Sequence, residues 1–212
     1  SWDTAGPTQV LVGAAPPVDP DHAVAQVAEW SRAAHRPALS AVHGTMLIVV
    51  LAGEAAPDPG VASLFGPGAV VRGRVGPGLQ SASRSAAEAL SGYRVVHAYP
   101  RAPQLIDAAE LLPERVLAGD AAAADILIRE VFTPLAASTS PLIETLDAYL
   151  AHGGVLDPAA RSLFIHPNTM RYRLRRIADL TGRDPWSPRD QLAFTLALTL
   201  GRLAERAAPS PA

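Results

Sequence analysis

Cysteine and lysine are both absent from this chain of 212 residues, so all 18 of its basic residues are arginine. Without a thiol there is no cysteine nucleophile, disulfide framework, thiolate zinc site or iron–sulfur ligation, and cysteine usage says nothing of the redox compartment. Without lysine there is no P-loop lysine, no Schiff base and no kinase-type phosphate-pairing lysine. Long apolar runs are missing too: Met46 to Ala52 suits a buried strand and is far too short to span a bilayer. No basic segment followed by an apolar one marks a secretory leader, so a cytoplasmic protein with no membrane partner is expected. The histidines (His22, His35, His43, His97, His152 and His166) have neither HxxH nor HExxH spacing, and there is no G-x-S-x-G elbow. These patterns lead us to expect no metal, no cofactor and no enzymatic activity.

Hydrophobic residues make up 49% of the chain, enough for a sizeable core, and the length allows one large domain or two small ones. The chain begins at Ser1 rather than Met, so a processed or excised fragment is expected, with the presence of an upstream sensory domain left open by the sequence. Its net charge of −2, taken alone, speaks against a protein built to hold polyanions. The distribution speaks differently. Ser1 to Thr139 holds 9 arginines against 13 acids, a balance of −4, whereas Ser140 to Ala212 holds 9 against 7, a balance of +2.

Residues 1–133 alternate strand and helix signals. Thr8 to Gly13 is a short apolar run, Asp21 to Ala34 places Val24, Val27 and Ala28 on one helical face, and Ala38 to His43 and Thr45 to Leu51 meet at His43-Gly44 as a hairpin. A short helix near Val61 to Phe65, a strand at Ala69 to Arg72, a helix from Ser81 to Ser91 closed by Gly92 and a strand from Tyr93 to Ala98 follow. This βαββαβ order predicts a ferredoxin-like sheet with helices on one face. Helices around Pro103 to Leu112 and Ala121 to Phe132 complete the domain.

Residues 134–140 read as a linker, 141–206 as an all-α domain and 207–212 as a tail, giving an α+β fold class. The helix from Pro141 to Ala151 stops at Gly153-Gly154. Asp157 is expected to cap a short helix that Pro158 opens and that ends near Phe164. After the turn at Ile165-His166, Pro167 opens a helix that runs to Thr181 before Gly182. Ser187-Pro188 with Asp190 caps a last helix to about Glu205, whose leucines surround most of its circumference.

A short helix, a tight turn and a longer helix are the proportions of a helix-turn-helix, whose second helix enters the DNA major groove. Along Pro167 to Thr181 the 100° step turns Met170, Leu174 and Ile177 to the core and Asn168, Tyr172, Arg175, Arg176 and Asp179 outward, with Thr169 and Arg171 on the flanks. Ala159 to Arg183 contains six arginines and one acid, a local charge of +5. Asn168, Thr169 and Arg171, near the helix start, are placed for base edges; Arg175 and Arg176 are placed for phosphates. His166 suits a turn or capping position from which it could donate to a phosphate. An arginine-rich face can also be merely solvated or meet an acidic protein, but the shortage of local acids favours duplex DNA.

Ala159-Ala160, Leu163 to His166, Asn168-Thr169, Arg171 to Leu174, Arg176-Ile177 and Leu180 to Gly182 resemble the signature of PucR/CdaR-type bacterial transcriptional regulators. Their C-terminal helix-turn-helix is similar to that of the Fis protein. The resemblance runs from about Leu142 through Leu203 and implies sequence-specific DNA binding. Pro167 stands where such proteins often carry a basic residue, which implies one phosphate contact fewer. Ser81 to Val96 resembles part of the degenerate GGDEF-like domain that often precedes this helix-turn-helix. A working cyclase would present metal-holding acids at the hairpin, and here it offers only His43-Gly44-Thr45-Met46.

Two further features carry alternatives. Arg72, Gly73, Arg74 and Gly76 precede the helix at Ser81 and could cradle the phosphate of a nucleotide or other small anionic effector through backbone N–H groups, or form an ordinary Gly-Pro turn. The apolar last helix needs cover on more than one side, from its own chain or from a second subunit, and a homodimer would suit paired DNA half-sites.

Overall fold

Strand β1 (Pro7–Ala14) is buried along nearly its whole length because it is covered on both faces. Leu11 faces a cluster with Val27, Leu47, Val49, Leu51, Val61 and Phe65. Val10 and Val12 face the opposite way, toward Ala89. This alternation is the period-2 consequence of the pleat. The computed structural model describes residues 5–53 and 59–207; beyond Ala207 the expected tail lies outside the described residues.

Around β1 the elements are α1 (Pro20–Ala33), β2 (Ala38–His43), β3 (Met46–Ala52), α2 (Pro59–Ala62), β4 (Val70–Arg72), β5 (Gly76–Pro77), α3 (Ser81–Val95), β6 (Leu105–Asp107) and α4 (Leu112–Leu117). The sheet order is β2-β3-β1-β4-β6, with β5 also paired to β1. All pairings are antiparallel except β4 with β6. Asp19 caps α1 by accepting from the Asp21 amide at 2.9 Å, with Pro20 inside the first turn. The β2–β3 hairpin turns at Gly44, whose φ of +59° favours glycine.

Three expectations for this unit need correction. Tyr93 to Ala98 is not a strand: α3 continues to Val95 and a tight 3₁₀ turn spans Val96–Ala98. Buried Ser85, Ala89, Gly92 and Val95 keep the helical period, and Gly92 is there because a Cβ would come within 2.8 Å of Val71, not because the helix ends. The last sheet strand is instead β6, inside the segment expected as a helix from Pro103 to Leu112; the helix there starts only at Leu112. Finally, α1 and α3 pack on opposite faces of the sheet, not on one.

The chain divides into two units, Ser1–Ala118 and Gly119–Ala212. The second contains α5 (Ala121–Leu127), a π-helical turn (Ile128–Phe132), α6 (Thr133–Ala136), α7 (Leu142–Ala151), α8 (Leu156–Ser162), α9 (Pro167–Thr181) and α10 (Pro188–Ala207). Pro134 explains the π turn: its ring excludes the carbonyl four residues earlier, and the Thr133 amide reaches back to Ile128. The sequence-based boundary at 133 therefore falls inside this unit, because the segment 121–136 packs within it. At Gly201 a Cβ would sit 2.1 Å from the Phe132 ring, so α10 is covered on one side by that segment. Helix α8 also starts earlier than expected: Val155 is its cap, and Asp157 lies within the first turn.

Candidate nucleic-acid interface

Two ends define α9. At the start, the His166 Nδ1 accepts from the Asn168 amide at 3.1 Å, with Pro167 as the first helical residue. With Nδ1 accepting, the other ring nitrogen, Nε2, carries the proton and can donate. At the end, Gly182 adopts φ +65° and donates to the Ala178 carbonyl at 2.8 Å. Between them Met170, Leu174 and Ile177 are fully buried, which fixes the rotation of the helix about its axis.

That rotation exposes Asn168, Thr169, Arg171, Tyr172, Arg175 and Arg176. Arg171 Nη1 donates to Asn168 Oδ1 at 2.8 Å, so the two groups one turn apart form a single polar head at the start of the helix. Tyr172 is 69% exposed. The structure divides the six arginines of the basic segment. Arg173 turns inward and donates to Thr145 Oγ1 on α7 at 3.3 Å. Arg183 pairs with Asp190 at 3.2 Å, and Asp190 also accepts from the Asp184 amide. Arg161, Arg171, Arg175 and Arg176 remain on the surface.

The glycine-rich loop of the first unit is brought together differently. Arg72 forms a two-point ion pair with Asp107: Nη2 to Oδ2 is 2.8 Å, and Nε contacts Oδ1. The Gly73 amide donates to Val10, and the Arg74 amide donates to the Glu88 carboxylate at 2.9 Å. A Cβ on Gly73 would meet the Ser85 carbonyl oxygen at 2.0 Å, and one on Gly76 would meet Ser81 at 2.5 Å. The loop therefore lies against α3, with its amides at Gly73 and Arg74 committed to protein acceptors.

Similarity to known proteins follows the same division. Residues 1–95 match the GGDEF-like domain, and residues 142–200 match the PucR C-terminal helix-turn-helix domain. An uncharacterized protein of Mycobacterium tuberculosis is 44% identical over 96% of this chain and 52% of its own length. The chain thus spans about half the length of the curated relatives it matches so extensively. The carbohydrate diacid regulator of Escherichia coli is 42% identical over 28% of this chain and 15% of its own length. Among solved structures, a regulator of polyketide synthase expression from Bifidobacterium adolescentis superimposes with a TM-score of 0.82 at 29% identity, covering 97% of this chain and 84% of the other. Among the described residues, no helix is long and apolar enough to cross a membrane.

Proposed function

The chain belongs to the PucR/CdaR-type family, a GGDEF-like domain followed by the PucR C-terminal helix-turn-helix domain, and from that premise we propose that it is a sequence-specific DNA-binding regulator of transcription. Helix α9 enters the major groove. One observation carries this reading: α9 has a fully buried stripe on one side and, opposite it, exposed amide, hydroxyl, phenol and guanidinium groups with one acid, Asp179.

The Arg171 fork matches the O6 and N7 of guanine, and the Asn168 amide matches the N6 and N7 of adenine. Their mutual hydrogen bond holds the two groups together before DNA arrives and is exchanged for base contacts when it does. Thr169 and Tyr172 flank this head. His166, Arg175 and Arg176 take phosphates, which set orientation and strength but not sequence. The GGDEF-like unit serves self-association or signal relay, since its hairpin supplies no carboxylate to hold the metal that a cyclase needs.

Gel-shift titration of a cognate and a scrambled duplex tests the assignment. Asn168→Ala and Arg171→Ala are expected to lower the ratio of cognate to scrambled affinity by about 5- to 150-fold. Arg175→Ala is expected to weaken both duplexes alike and to reduce the salt slope by about one. If all three variants bind as the parent does, α9 is not the reading element.

A further inference from the structure

Phe164 is 96% exposed, more than any other large apolar side chain among the described residues. Its backbone is left-handed, with φ +54°, in a turn where helix-turn-helix units often place glycine. Keeping an aromatic ring there costs twice, once in backbone strain and once in wetted apolar surface. Immediately beside it, Leu163 lines a groove of about 640 Å³ between α7 and α10. Ala148, Ala151 and Leu198 supply further apolar lining, and the charged lining is Glu144, Asp147 and Arg202, one acid in excess. Asp147 is held by Arg202 at 2.6 Å. Arg161, one turn before Phe164, is exposed, and among the described residues neither Arg161 nor Glu144 has an ion-pair partner.

We propose that this face of the helical unit docks a second copy of the chain, with Phe164 of each copy seated in the α7–α10 groove of the other and Arg161 set against the partner's Glu144. A projecting ring and a groove lined by its own neighbour are self-complementary. Under a two-fold axis one arrangement fills both grooves and covers both rings. Charge agrees with shape: with Arg202 and Asp147 paired to each other, Glu144 is the uncompensated charge of the groove, and the basic Arg161 accompanies the ring. Helical spacing from Thr195 and Thr199 places Leu192 and Leu203, both exposed, on the same side of α10, extending the apolar surface. An unrelated basic peptide could enter the groove but would leave Phe164 in water. Asn168 and Arg171 take no part, so the pairing is separable from DNA reading.

Sedimentation equilibrium of the full chain without DNA tests this directly. The parent is expected to associate to a dimer in a concentration-dependent way. Phe164→Gly, whose backbone accepts a positive φ, is expected to keep or raise Tm at concentrations where the parent is monomeric, while weakening dimerisation at least about tenfold. Glu144→Arg is expected to weaken it similarly, and adding Arg161→Glu to restore it to within about threefold of the parent. A one-chain mass at every concentration, a dimer indifferent to Phe164→Gly, or a double variant no stronger than the single one would overturn the proposal. Because DNA is absent from the cell, none of these results bears on whether α9 reads a duplex.

Discussion

The Arg171 guanidinium and Asn168 amide show what single residues contribute, and Arg173 shows the limit. Helical periodicity alone turns Asn168, Arg171, Tyr172, Arg175 and Arg176 outward, and they are exposed. Only the charge count of the segment groups Arg173 and Arg183 with them: Arg173 falls beside the buried stripe and Arg183 beyond the helix end, and their partners Thr145 and Asp190 come from other helices. Arg173→Ala is accordingly expected to leave discrimination between duplexes unchanged while lowering stability by about 1 kcal/mol, measured by thermal melting beside a duplex titration. Phe164 was illegible for a different reason: in the run Leu163-Phe164-Ile165 an aromatic residue reads as core, and only a left-handed backbone at the turn turns it out. The loop at Gly73 illustrates the reverse ambiguity. Glycines among arginines read as an anion cradle or as an ordinary Gly-Pro turn, and neither reading includes the close approach of Gly73 to the Ser85 carbonyl. Gly73→Ala should therefore cost about 1–3 kcal/mol in urea denaturation, with or without added nucleotide.

Among whole elements, the long, strongly patterned ones were legible. The bounds of β2 and α9 follow from the turn at Gly44 and the pair Pro167 and Gly182, and α1 lies one residue from its expected span. The failures cluster where a residue's local signal is overridden by a neighbour. Gly92 resembles a helix stop but is the small residue that lets α3 lie against Val71 and Leu111. β6 has three residues, too few to show a period. Helix α10 is apolar around most of its circumference because it has two sides to satisfy: Phe132 covers one at Gly201, while Leu192 and Leu203 remain exposed on another. Phe132→Ala is expected to cost about 3–5 kcal/mol through the cavity it leaves. Gly201→Ala should destabilise the parent but do so less in a Phe132→Ala background, a coupling that chemical denaturation of the four proteins would reveal.

For the molecule as a whole, the informative quantity is where charge and packing change along the chain. A net charge of −2 conceals the +5 segment from Ala159 to Arg183, part of which forms the outward face of α9. Packing changes at Gly119, earlier than composition suggested, because α5 and the π turn contribute apolar side chains to the helical unit. A fragment beginning at residue 119 is expected to unfold as one cooperative unit. One beginning at residue 141 should lose at least the roughly 3–5 kcal/mol that Phe132 contributes, which circular dichroism melts of the two fragments would compare. Selection of bound duplexes from a random pool by the full chain tests the reading role of α9 most directly. Recovery of a shared half-site with the parent, and loss of its sequence preference with Asn168→Ala and Arg171→Ala, is the expected result. A pool that stays random with the parent, or a half-site recovered unchanged by both variants, would contradict it.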